Sequence, residues 1–125
     1  DFRRILYNGD LLTFSDFNRE HRRCLDFIKQ ALERSESKYK ILLTHHVPSY
    51  LMQCPKFVDS HANGAFIVEL KDFIQQSNID FWIFGHSHYN VDKVIGNTTC
   101  LSNQLGYVFH NEHKTFAPGK YLIIG

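Results

Sequence analysis

Eight histidines are many for a chain of 125 residues, and four of them stand where a short apolar run gives out. Ile41-Leu42-Leu43 leads into Thr44-His45-His46-Val47-Pro48, and Phe81-Trp82-Ile83-Phe84 leads into Gly85-His86-Ser87-His88. Neutral imidazole is a good ligand for zinc, iron, manganese and nickel ions. Two histidines at i, i+2 in a bent loop can point to two different ions. Ser87 is too small to crowd such a site, and Gly85 is expected to supply a sharp turn and a close approach to a ligand.

The apolar runs read as strands. Ile41 to Leu43 and residues 81–84 are short and continuous, which fits strands buried on both faces. Ligands of α/β sheets bind beyond the carboxyl ends of the strands. A right-handed crossover through a helix brings the ends of two parallel strands to one edge. The spacing predicts that helix at residues 64–76, capped by Asn63, with Phe66, Ile67, Leu70, Phe73 and Ile74 on one face. An earlier helix is expected over residues 14–33. Thr13 and Asp16 form its capping box, and Phe17, His21, Cys24, Leu25, Ile28 and Leu32 form its apolar stripe. Residues 49–61 show no period and read as a long loop of functional interest. Residues 91–95 and 98–101 flank Gly96-Asn97, a two-residue hairpin signal. Residues 121–124 read as a last strand. The order indicates an α/β sheet with helices on at least one face.

Other candidates have plainer readings. His21 lies on a helical stripe and reads as structural. His61 touches either substrate or solvent. His110 and His113 have ligand-like spacing but sit in a polar, aromatic tail. Cys54 has no visible activator, so a nucleophilic role is not expected. The arginines of the first helix read as a solvated face.

Composition excludes several classes. Hydrophobic residues make up 43% of the chain, enough for a core and against disorder. The net charge is +1 without a basic block, so neither nucleic acid nor a membrane surface is implied as a partner. No apolar run approaches the roughly 20 residues of a membrane span. Three scattered cysteines argue against a disulfide framework and point to a reducing, cytoplasmic setting.

Thr44-His45-His46-Val47-Pro48-Ser49 and Phe84-Gly85-His86-Ser87-His88 resemble the last two motifs of the calcineurin-like metallophosphoesterases. Asp1-Phe2-Arg3-Arg4-Ile5, the Leu12-Thr13 helix start with His21, Asn63-x-Ala65-Phe66 and Asn103-x-x-Gly106-Tyr107 resemble a bacterial serine/threonine-phosphatase-like branch of that family. The resemblance implies an α/β fold that is the C-terminal half of a four-layer α/β/β/α sandwich. It implies a hydrolase acting on a phosphomonoester or phosphodiester through water activated by two divalent metal ions, manganese, iron, zinc or nickel. His45 and His86 would be ligands of one ion and His88 of the other. His46 and residues 49–61 would lie near the phosphate-ester substrate.

The rest of the family's ligand set is missing from this sequence. The family also uses an Asp-x-His, a Gly-Asp and a Gly-Asn-His motif upstream. Asn8-Gly9-Asp10 offers Gly-Asp only superficially, and Asp10 reads as a turn residue. Three neutral histidines without a bridging carboxylate hold two divalent ions poorly, because nothing offsets four positive charges. The remaining ligands are therefore expected in a preceding segment, and a start without Met fits a fragment or a processed chain. Such a chain is expected to be inactive alone. It would expose an apolar edge or face and either self-associate or pair with its missing N-terminal half. Two alternatives stand beside this: a non-catalytic interaction scaffold of the same fold, and a one-zinc site of three histidines.

Overall fold

The computed structural model describes residues 3–125. The chain forms two compact units, one ending at Ser37 and the other running Lys38–Gly125. Asp1 and Phe2 of the opening motif lie outside the described residues.

In the first unit, β1 (Leu6–Tyr7) and β2 (Asp10–Leu11) make a small antiparallel hairpin. Asn8 and Gly9 between them have φ of 53° and 96°. Positive φ at both central residues is the turn that matches strand twist, and Asn-Gly takes it at least cost. Asp10, expected in the turn, is instead the first residue of β2 and faces Tyr7. Helix α1 (Phe14–Arg34) starts on the expected capping box. Thr13 Oγ1 accepts from the Asp16 N–H at 3.1 Å, and Asp16 Oδ2 accepts from the Thr13 N–H at 3.1 Å. Tyr7 donates its hydroxyl proton to Glu20 Oε1 at 2.6 Å, tying the hairpin to the helix. Phe17, His21, Leu25, Ile28 and Leu32 of the stripe are half-buried, while Cys24 is exposed.

The second unit is built on a four-stranded sheet. Strands β3 (Ile41–Leu43), β4 (Phe81–Ile83), β5 (Asp92–Ile95) and β6 (Thr98–Leu101) lie in the order β3-β4-β6-β5. β3 and β4 are parallel, with Leu43 opposite Ile83. Their register is fixed at the start by a reciprocal pair: Lys40 N–H donates to Asp80 Oδ2 at 2.7 Å, and Asp80 N–H donates to the Lys40 carbonyl at 2.9 Å. β5 and β6 form the expected hairpin across Gly96-Asn97. Gly96 has φ of +60°, and a Cβ there would meet the Gln75 backbone at 3.0 Å.

The core gathers Val47, Met52, Ile74, Ile79, Trp82 and Cys100, each at most 1% exposed. A fully buried side chain of this size contributes about 1.5–3 kcal/mol. β4 at the centre carries Trp82, as its apolar run predicted. β3 does not match that prediction. Among the described residues it is an edge strand with one neighbour, and Ile41 and Leu43 are 41% and 69% exposed.

Two further expectations fail for local reasons. The helix predicted at residues 64–76 is only α2 (Lys71–Gln76). Upstream of it, the Val47 N–H donates to the Phe66 carbonyl at 3.0 Å and the Val68 N–H to the Val47 carbonyl at 2.9 Å. This bridge to the end of the β3 loop holds Ile67 extended. Asn63 does not cap α2; its amide donates to the Phe57 and Val58 carbonyls at 2.8 and 3.1 Å. Residues 49–61 are accordingly less loose than expected. They wind through short 3-10 turns at Tyr50–Met52 and Pro55–Phe57, anchored by buried Met52 and by Ser49 Oγ accepting from the Leu51 N–H at 3.2 Å. Residues 121–124 form no strand, and Tyr121 and Ile123 stand 78% and 76% exposed. The tail is pinned just before them, where Lys120 Nζ donates to Asp92 Oδ1 at 2.6 Å and to the Ser102 carbonyl at 2.9 Å.

The result is a mixed α/β chain with two sheets and two α-helices among the described residues.

Candidate metal centre

Because Leu43 and Ile83 are level across parallel strands, the two histidine loops emerge side by side. They are stitched together by main-chain bonds. Thr44 N–H donates to the Ile83 carbonyl at 3.0 Å, and Gly85 N–H to the His45 carbonyl at 3.0 Å. Buried Trp82 adds a side-chain tie, its indole N–H donating to Thr44 Oγ1 at 2.9 Å.

The consequence is a close pair: His86 Nδ1 lies 2.8 Å from His45 Nε2. His46 completes a triangle of rings, with centroids 5.2 Å from His45 and 4.8 Å from His86. Phe66 covers the other side of His86 at 4.5 Å. The Asn63-x-Ala65-Phe66 motif thus reaches the site through Phe66, which the sequence had placed only on the apolar face of a helix. Burial holds the His86 imidazole below its ordinary value, and the charges of His45 and His88 push the same way. A hydrogen bond with the Ala65 backbone acts against them. A neutral imidazole is the form that binds a metal.

The Gly85-His86-Ser87-His88 turn departs from expectation. His86 and His88, and not Gly85, take left-handed backbone angles, with φ of 69° and 52°. Side chains other than glycine visit that region at a cost, histidine more readily than most. A Cβ on Gly85 would meet only the His45 carbonyl at 3.6 Å and Gln104 Oε1 at 3.8 Å, ordinary contacts. The turn is held from outside by Gln104. Its Oε1 accepts from the His88 N–H at 2.9 Å, and its Nε2 donates to the Tyr89 carbonyl at 3.1 Å. Asn90 holds Gln104 in turn, donating to its carbonyl at 2.9 Å and accepting its N–H at 2.6 Å.

His88 engages the tail. Its Nδ1 lies 2.9 Å from Glu112 Oε2, and its ring meets Tyr107 edge-on at 4.7 Å. Glu112 Oε2 also accepts from the Tyr107 N–H at 2.6 Å. That backbone bond, then the His88 bond, keeps the Glu112 carboxyl below its usual value and so ionised at neutral pH. Asn103 clamps the tail behind it through reciprocal bonds of 2.8 and 2.9 Å with Ala117.

Sequence reasoning missed Glu112, Gln104 and Asn90. The His110-Asn111-Glu112-His113 stretch attracted notice for its histidines, whereas its carboxylate is what reaches the site. His110 packs on Phe109 at 4.5 Å, and His113 Nδ1 is buried without a hydrogen-bond partner among the described residues. His61 is exposed. All three cysteines are free, and burial pushes the Cys100 thiol up to about 11, which leaves it inert as a nucleophile.

Comparison with known proteins gives this geometry its context. The profile of the calcineurin-like phosphoesterase family matches residues 3–90. The chain belongs to that family of metal-dependent phosphoester hydrolases, whose members generally bind divalent metals. It is also similar to the uncharacterized protein L509 of Acanthamoeba polyphaga mimivirus, 31% identical over 120 residues. The alignment covers 90% of this chain and 41% of that relative, so the chain spans well under half the relative's length. No solved structure matches. No helix among the described residues is long and apolar enough to cross a membrane.

The donors present fit such a metal in part. Two nitrogens bound about 2.0–2.1 Å from one tetrahedral ion lie about 3.3–3.4 Å apart, so the 2.8 Å contact of His45 with His86 is a ring-to-ring hydrogen bond that must lengthen to take an ion between them. Among the described residues, however, no three His, Cys, Asp or Glu side chains converge as a metal-holding group. Among the described residues, His45 and His86 by themselves do not make a complete metal site.

Proposed function

We propose that the protein hydrolyses a phosphomonoester or phosphodiester with water activated by two divalent metal ions, and that this chain supplies part of their site. The observation that carries the reading is the meeting of His45 Nε2 and His86 Nδ1 beyond the carboxyl ends of two parallel strands. In this reading His45 and His86 hold one ion and His88 the other. Bound ions would neutralise phosphate oxygens and lower the pKa of a water. His46 stands beside the pair, where it meets a substrate. The chain corresponds to the C-terminal half of the fold, in a branch like the bacterial serine/threonine phosphatases, and the bridging carboxylate and Asn ligand come from elsewhere in the protein. What supports this is the family membership together with a donor set that is good but incomplete.

The test is Mn²⁺-dependent hydrolysis of a nitrophenyl phosphate by the whole protein, with His86→Ala and His88→Ala beside it. Both variants are expected to lose activity, and these 125 residues alone are expected to show nearly none. Full turnover by either variant, or by the 125 residues alone, would overturn the proposal.

A further inference from the structure

We propose that Glu112 is a positioning residue for His88: it fixes the ring in the tautomer that carries its proton on Nδ1 and presents the Nε2 lone pair as a ligand. The proposal rests on the reading of His88 as a metal ligand. Its warrant is donor and acceptor chemistry. A carboxylate has no proton to give, so a 2.9 Å contact between Glu112 Oε2 and His88 Nδ1 is a hydrogen bond only if Nδ1 donates. A neutral imidazole has one N–H, so Nε2 then keeps its lone pair. Metal-bound histidines commonly have their other nitrogen tied in this way, which orients the ring and raises its basicity.

Three features of the chain serve this one contact. The Tyr107 N–H holds Glu112 Oε2 from behind at 2.6 Å. Gly106 leaves the space, because a Cβ there would lie 2.6 Å from Glu112 Cβ, 2.8 Å from Glu112 Oε2 and 3.2 Å from His88 Cβ. Gln104 Oε1 fixes the His88 main chain. The Asn103-x-x-Gly106-Tyr107 motif thereby acquires a purpose: Asn103 anchors the tail, Gly106 clears room and Tyr107 presents the N–H.

The experiment is long-range nitrogen–proton NMR of the histidine rings of this chain, metal-free, at about pH 8, where imidazole of ordinary pKa is neutral. Wild type is expected to show a protonated Nδ1 and a lone-pair Nε2 for His88. Glu112→Ala is expected to lose that preference, and Glu112→Gln, which keeps an acceptor oxygen, to restore it. A His88 with its proton on Nε2, or one whose tautomer is unmoved in Glu112→Ala, would overturn the proposal. Should Glu112→Ala unfold the segment, the wild-type spectrum still decides. Zn²⁺ alone is then titrated into the same samples. The His88 Nε2 signal should shift, and Glu112→Ala should weaken that response about 10–100-fold. A correct tautomer whose Nε2 ignores Zn²⁺ would sink the ligand reading of His88 and not the positioning contact.

Discussion

The two glycines nearest the candidate site make opposite predictions, and the structure gives the magnitudes. Gly85 belongs to the recognisable motif, yet a Cβ there meets nothing closer than 3.6 Å. Its backbone is not left-handed. Alanine at a compatible glycine stabilises by about 0.4–1 kcal/mol through the unfolded chain, so Gly85→Ala should be neutral or slightly stabilising. Gly106 has φ of +64° and faces atoms at 2.6 and 2.8 Å. The left-handed conformation costs an alanine roughly 1–2 kcal/mol, and overpacking adds about 1–3 kcal/mol. Gly106→Ala should therefore lose about 2–5 kcal/mol, a large share of the ~5–15 kcal/mol of an ordinary domain. Trp82 is the only tryptophan and is buried in the second unit, so its fluorescence reports the unfolding that matters. At roughly 3–5 °C per kcal/mol for a chain of this size, Gly106→Ala should lower Tm by about 6–25 °C, and Gly85→Ala should leave it nearly unchanged. Equal losses from the two variants would refute the reasoning. So would an unmoved Tm for Gly106→Ala with the His88–Glu112 contact intact.

Further outcomes are expected. Thr44→Val leaves the buried Trp82 indole N–H without its acceptor, which should cost about 1–3 kcal/mol in urea unfolding followed by Trp82 fluorescence. Thr13→Ala removes the capping box of α1 and should destabilise that helix by about 0.5–2 kcal/mol, read as lost helical circular dichroism on heating. The Asp16 carboxyl is held low, chiefly by the Thr13 hydroxyl. The contribution of that cap is present above the ordinary carboxylate value of 3.8 and should be lost as pH falls below it. His86 is also held low, so the folded state prefers its neutral form. Its contribution is complete above the ordinary value of 6.5 and should fade as pH drops from there. A proton NMR titration placing His86 above 6.5 would contradict the burial that lowers it.

What the sequence made legible follows from where each signal is local. The capping box at Thr13 and Asp16 and the hairpin at Gly96-Asn97 are decided by side chains a few positions apart, and both formed as expected. The register that brings His45 to His86 was legible because two apolar runs of equal kind each ended in histidine. Residues 64–70 carried a helical period but formed no α-helix, only the end of a 3-10 turn at Asn63–Ala65, because Ile67 is captured by Val47, a partner 20 residues away that no local period can foresee. The burial of β3 was overestimated for a related reason: three apolar residues do not reveal whether a strand is central or at an edge. Glu112 was invisible because its role depends on a tail that returns to His88 across 24 positions. Gly85 drew attention that belonged to Gly106, since a motif shows which residues recur together and not which of them bears the tight contact.

The central claim is that His45 and His86 are ligands in a metal site of which this chain holds only a part. Metal per chain, measured by elemental analysis after purification and dialysis without chelator, tests it most directly. The account predicts well below one ion retained per chain, and less still in His86→Ala. A value near two would mean that the site is complete within these 125 residues, and the assignment of the missing ligands to another part of the protein would be wrong.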